Sequence, residues 1–184
     1  MCCLFGIYDY SHSLTAAQKK RLVSALAVAS EDRGTDAAGI AYNHNGHLTV
    51  YKRPYPAHLM RFRLPDDAVC IMGHTRMTTQ GDEKRNYNNH PFEGTAGIPF
   101  ALAHNGVLRN DRSLQVQKKL PVSKIETDSF IIVQLLEQAG SIGFQTGTAG
   151  RSELPEHPQH RRAPQRYADA VCFGQQGQSL HHQG

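Results

Sequence analysis

The chain has 184 residues, 39% of them hydrophobic, and a formal net charge of +4. That length falls in the range of one domain and the apolar fraction sits below the usual ~45–50%, so a multidomain enzyme is not expected within it. No apolar run approaches the roughly 18 residues of a membrane span, MCCLFGIYDY lacks the basic start and cleavage site of a signal peptide, and Lys and Arg form no block, so the expected protein is soluble and cytoplasmic, without membrane or nucleic acid as partner.

In chain order, Cys3–Tyr8 reads as a short buried strand. Thr15 to Ser30 carries Ala, Leu and Val at helical spacing, with Thr15 as N-cap. The segments 37–42 and 48–51 flank Asn45-Gly46, a hairpin signal. The runs 69–72 and 98–103 are further strands, each ending in a polar cluster. An apolar stripe through Ile131, Ile132, Leu135 and Leu136 predicts a helix over 128–138, closed by Gly140. Hairpin-ordered strands with helices before and after them predict a layered α+β sheet rather than parallel alternation. After Phe144 the punctuation stops, and the segment 146–184, rich in Gln, His, Gly and Pro, is expected to be a disordered tail.

Cys2 is the first candidate for chemistry. Removal of the initiator Met would leave a thiol and an α-amine, with ordinary pKa values of about 8.5 and 7.7–8.0, on one residue, so that nucleophile and base coincide. Alone, a cysteine here fits a buried strand residue as well, as does Cys3 beside it. Arg76 follows the apolar run 69–72 within GHTRMTTQG. It suits a carboxylate clamp or a surface ion pair. Asn105 and Gly106 follow the next apolar strand and suit either an oxyanion hole or a plain turn. Asp128, in TDS at the start of the last helix, suits a helix-dipole partner or a ligand for an ammonium group. Arg33-Gly34-Thr35-Asp36 reads as a turn with an Arg–Asp pair, and Asn88-Asn89-His90-Pro91-Phe92 as a loop that orders neighbouring strands by side-chain hydrogen bonds. The four cysteines show no CxxC spacing and the eleven histidines no HExxH, so no metal site or disulfide framework is expected.

In this order, Cys2, RGTDAAGIA, GHTRMTTQG, NNHPF, HNG and TDS resemble the class II glutamine amidotransferases, the N-terminal-nucleophile glutaminase domains found in glutamine phosphoribosylpyrophosphate amidotransferase and glucosamine-6-phosphate synthase. The resemblance covers about residues 2 to 140, within a domain expected over 2–145. It implies a four-layer αββα fold, incomplete at its C-terminus, and no cofactor. It further implies that Cys2 attacks the glutamine side-chain amide, releasing ammonia and leaving a γ-glutamyl thioester that water hydrolyses. Arg76 would grip the α-carboxylate, Asp128 the α-ammonium, and Asn105 with Gly106 the oxyanion. Thr79 would contact glutamine, while Arg33 and His90 would support the site. The sequence departs from the family at Cys3, Met77, Gln80 and Phe130, where Gly, Trp, His and Glu are usual. The ammonia acceptor would be a separate subunit or a missing C-terminal portion. The other readings are a truncated or interaction-only product that keeps the motifs without activity, and an N-terminal-nucleophile amidase acting on another amide.

The family continues into further strands and a stretch of the kind L-Y-x-x-K-G. Read from the second base of each codon, Gly174 to Gly184 is compatible with G-N-K-D-N-L-Y-I-I-K. A frameshift between about Phe144 and Gly150 is therefore expected.

Overall fold

A computed structural model describes residues 2–140 in full and the backbone of 169–174. The strands are β1 (Cys3–Tyr8), β2 (Ala37–His44), β3 (His47–Arg53), β4 (Cys70–Arg76), β5 (Phe92–Ala96), β6 (Ile98–Asn105) and β7 (Asp169–Gly174); the helices are α1 (Ala16–Ala29), α2 (Asp111–Gln117) and α3 (Phe130–Ala139). One antiparallel sheet has the order β1-β4-β2-β3 and a second the order β5-β6-β7.

Local chemistry accounts for the element ends. Thr15 Oγ1 accepts from Gln18 N at 3.3 Å and Gln18 Oε1 accepts from Thr15 N at 2.9 Å, a reciprocal capping box that starts α1. Asn45 and Gly46 both take positive φ (47° and 76°), the turn whose twist matches the strands it joins. Gly140, at φ 71°, closes α3 in the left-handed conformation.

Three apolar clusters separate four layers. Val23 and Ala27 of α1 pack with Ala38, Ile40, Ile71 and Phe62 on one face of the first sheet. Val133 of α3 packs with Phe92, Phe100 and Leu102 on the outer face of the second. Ala41 and Met72 meet Ala101 and Ala103 between the sheets, where small side chains let the two backbones approach. The order helix, sheet, sheet, helix is the αββα sandwich that the motif set implies.

Two elements differ from the sequence reading. The strand expected over 69–72 runs on as β4 to Arg76, because its polar end is buried rather than solvated: His74, Thr75 and Arg76 are 0%, 0% and 2% exposed. Thr75 Oγ1 donates to Ser30 O at 2.9 Å, and β4 is paired on both sides, by β1 and β2. The loop expected at Phe92 opens β5, whose Glu93, Gly94 and Thr95 carry little strand signal and whose pairing with β6 supplies the order. Within the tail, Asp169–Gly174 pairs with β6 as an antiparallel strand; the rest of 146–184, and the expected frameshift point, lie outside the described residues. Among the described residues no helix is long and apolar enough to cross a membrane.

Phe100 is fully buried between α3 and its own sheet. Phe100→Ala is expected to cost about 3–5 kcal/mol of unfolding free energy, measured by urea denaturation.

Candidate active site

Strand register brings the candidate residues to one end of the sandwich. Cys3 lies opposite Thr75, so Cys2 falls beside Arg76 at the end of β4. His74 Nε2 lies 3.3 Å from His104 O, which sets the ends of β4 and β6 at the same edge and brings Asn105 and Gly106 there. The loop before α3 closes the group, with Thr127 Oγ1 3.4 Å from Arg76 Nη2 and Asp128 Oδ2 accepting from Leu108 N at 2.5 Å.

The turn at 33–36 fixes Cys2 against the β4 exit. Arg33 Nε donates to Cys2 O at 3.1 Å, Asp36 N to Arg76 O at 3.0 Å, and Thr78 N to Asp36 Oδ2 at 2.6 Å. A side chain at Gly34 would collide with the backbone of Arg76 and Met77. Asp36 thus holds the strand exit, a role not legible in a motif that suggested pairing with Arg33. The half-buried Cys2 thiol donates to Met77 O at 3.5 Å. Burial pushes that thiol up, opposed by the Arg76 guanidinium and reinforced by Asp128. Its proton therefore needs a nearby base.

Arg76 is 2% exposed, and its partners are all neutral: Asn89 Oδ1 at 2.5 Å, Gln80 O at 2.5 Å, Gly81 O at 3.3 Å and Thr127 Oγ1 at 3.4 Å. Burial lowers its pKa from the ordinary value, while Cys2, Glu83, Asp36 and Asp128 oppose this. Among the described residues no carboxylate lies within ion-pair distance of it. Asp128, 3% exposed, likewise accepts only from neutral donors: Leu108 N, Ser129 N at 2.8 Å and Ser129 Oγ at 3.3 Å. A buried cation and a buried anion, neither paired with a protein counter-ion, thus lie near enough to one thiol to act on it. A charge held this way is costly unless something else neutralises it.

Behind Arg76 lies a support that the sequence only hinted at. Asn89 Nδ2 donates to Glu83 O at 2.8 Å, and Lys52 Nζ donates to Asn89 O at 2.5 Å and Pro91 O at 2.9 Å. Burial brings Lys52 down to about 8. His90 stacks between His74 (centroids 4.3 Å) and Phe92 (4.4 Å), and neither of its ring nitrogens has a hydrogen-bond partner. Burial lowers His74 to about 3 and His90 well below the ordinary histidine value. Thr79 is exposed on the loop after β4, and the residue tied down there is Thr78. Among the described residues no three His, Cys, Asp or Glu side chains converge as a metal site.

A sandwich of this kind with a cysteine leading its first strand defines the N-terminal-nucleophile class. No protein-family model matches the chain. It is 34% identical over 154 residues to the isomerizing glutamine–fructose-6-phosphate aminotransferase of Staphylococcus aureus strain Mu50, covering 81% of the chain and 24% of that relative. To the protein of the same name from Bacillus thuringiensis subsp. konkukian it is 36% identical over 128 residues, covering 67% and 21%. The chain thus spans about a quarter of the length of the curated relatives it matches. Among solved structures, glutamine phosphoribosylpyrophosphate amidotransferase from B. subtilis, complexed with ADP and GMP, superposes with a TM-score of 0.56 at 21% identity, covering 78% of the chain and 30% of that structure. The allosteric regulatory enzyme of purine biosynthesis gives a TM-score of 0.58 at 19% identity with the same coverage. These likenesses establish the fold. The chain belongs to the class II glutamine amidotransferases.

Two outcomes follow from the support behind Arg76. A methyl group at Gly39 would run into His90 O and lie 2.9 Å from Pro91 Cδ, so Gly39→Ala is expected to cost about 1–3 kcal/mol in urea unfolding. Both histidines are depressed in the folded state, so the stability tied to keeping them neutral is complete above about pH 6.5. It is lost as pH falls from there toward about 3 for His74. The slope is about 1.4 kcal/mol per pH unit for each histidine, and urea midpoints at pH 7.5, 6 and 5 are expected to fall accordingly, less so in His74→Gln.

Proposed function

We propose that this domain hydrolyses the side-chain amide of free glutamine and delivers the ammonia to an acceptor. The carrying observation is the pair of buried charges without protein counter-ions, Arg76 and Asp128, both near enough to the Cys2 thiol to act on it. A zwitterionic amino acid supplies both missing partners at once, its carboxylate to Arg76 and its ammonium to Asp128.

The chemistry then follows from the end of the sandwich. With Met1 removed, the Cys2 α-amine takes the thiol proton and the sulfur attacks the amide carbon, forming a C–S bond and an oxyanion. The Asn105 side-chain amide and the Gly106 N–H receive that oxyanion. The α-ammonium returns the proton to nitrogen, the C–N bond breaks and ammonia leaves. Water, deprotonated by the same amine, cleaves the thioester through a second oxyanion and releases glutamate. Thr79 closes on glutamine from the loop beyond Arg76, while Arg33 and His90 hold the nucleophile and the β4 neighbourhood.

The aminotransferase relatives extend well beyond the aligned region. The ammonia acceptor is accordingly assigned to a partner subunit or to a further portion of the protein. Cys2, Cys3 and Cys70 are free thiols, and a nucleophile that must stay reduced favours a cytoplasmic setting. The change of reading frame ahead of residue 150 belongs to the same proposal; a nucleotide sequence that excludes the second-base frame would defeat it.

Incubation with 6-diazo-5-oxo-norleucine is expected to leave a covalent adduct on a des-Met Cys2, seen by mass spectrometry and absent from Cys2→Ala. Retained Met1 with no adduct would sink the proposal. Glutamate release with asparagine as control separates glutamine from other amides. Asn105→Ala is expected to lower kcat by about 10²–10³ with a smaller change in KM.

A further inference from the structure

Leu108 N donates to Asp128 Oδ2 at 2.5 Å. Asn105 ends β6 and Leu108 lies three residues further on, so the contact ties the turn that carries Asn105 and Gly106 to the carboxylate that would hold the substrate ammonium. The rest of Asp128 is fixed as well. Ser129 N and Ser129 Oγ donate to Oδ1, and Ser129 Oγ lies 2.9 Å from His104 Nδ1, on the strand that carries Asn105. Asp128 therefore touches both ends of one unit, through Leu108 directly and through Ser129 and His104. By contrast, Asn105 is the last residue of β6 in register with β7, and Gly106 and Val107 beyond it are exposed, so the turn has little packing of its own to hold it.

We infer that Asp128 is a positioning residue for the oxyanion hole as well as an ammonium ligand, so that recognition of the amino-acid end and stabilisation of the tetrahedral intermediate depend on one carboxylate. The inference rests on the glutaminase reading above. Its distinguishing consequence is that loss of Asp128 weakens catalysis even on a substrate with no ammonium to bind. A pure ammonium ligand would be dispensable there.

The test compares the full-length wild type with Asp128→Ala and Asp128→Asn on glutamine and on glutaramate, which keeps the carboxylate and amide but lacks the α-amine. Asparagine keeps one acceptor oxygen but turns an NH2 group toward one of the donors at Leu108 or Ser129, so it strains the contact without emptying the site. Alkylation of Cys2 by iodoacetamide, which needs no oxyanion hole, reports whether its thiol is reachable, and a cooperative urea transition reports whether each variant is folded. Hydrogen–deuterium exchange over Gly106–Leu108 reads the anchor itself, independently of turnover. The expected result is wild-type alkylation, at least tenfold faster exchange at Leu108, and at least a tenfold loss of kcat/KM on glutaramate in both variants. Unchanged Leu108 exchange, or equal glutaramate kcat/KM with the loss confined to glutamine, overturns the inference. Should the alanine variant not fold, the asparagine variant decides by the same measurements. Failure of the glutaminase reading has a separate signature: a wild type that releases no glutamate and takes no adduct on Cys2.

Discussion

The burial of Arg76 at the end of β4 is the constraint on which the site depends. A guanidinium that is 2% exposed must satisfy its donors inside the protein, and here three segments supply the acceptors: Gln80 and Gly81 of the following loop, Asn89 of the next, and Thr127 before α3. Each acceptor is neutral. Hydrogen bonding is thereby largely met while no protein carboxylate pairs with the charge, and the proposed carboxylate ligand rests on that difference. The acceptors need their own anchors, and the second row follows: Lys52 on the carbonyls of Asn89 and Pro91, Glu83 O on Asn89, and Asn88 O on Thr127 Oγ1 at 2.7 Å.

The same constraint explains why polar residues continue β4 into the interior. His74 and Thr75 carry the strand from its apolar start to Arg76, flanked by β1 and β2, and the cost of burying them is met unevenly. Thr75 is satisfied by Ser30 O. His74 Nδ1 and both nitrogens of His90 have no partner, and they are the groups whose protonation burial suppresses most. Buried polar groups left unsatisfied destabilise by about 1–3 kcal/mol each. Their position directly behind the site fits a region where stability is given up to hold Arg76 and Asn105 in place.

Much of this was legible in the sequence. Thr15 and Gln18 gave the start of α1, Asn45-Gly46 the first hairpin, and Gly140 the end of α3, because each is a local rule with a local residue to carry it. The motif order pointed to Cys2, Arg76, Asn105 and Asp128 as one group. What stayed hidden depends on partners distant in sequence. Glu93-Gly94-Thr95 becomes a strand only because β6 pairs with it, and the hold of Asp36 on the β4 exit shows only once Arg76 and Thr78 lie against it. Asn89 was visible as an orderer of strands, but that it orders Arg76 follows only from the fold.

The positions where this chain departs from its family show which parts of those residues the site uses. Met77 stands where Trp is usual, and the residue is 49% exposed, while its carbonyl receives the Cys2 thiol. Gln80 stands where His is usual, and it meets Arg76 through its carbonyl, leaving the side-chain amide to reach Asp111 Oδ2 at 3.2 Å. Cys3 serves the sheet through its backbone pairing with Thr75. Phe130, in place of Glu, packs edge-on against Phe92 at 5.4 Å and so belongs to the core under α3. At three of the four positions the functional contact is made by main-chain atoms, and at the fourth the side chain points into packing. Main-chain geometry survives a change of side chain as long as the strand exit is held, and Gly34 and Asp36 hold it. At Arg76 and Asp128 no backbone atom carries the charge, so the proposed recognition of a zwitterion depends on these two side chains, both buried.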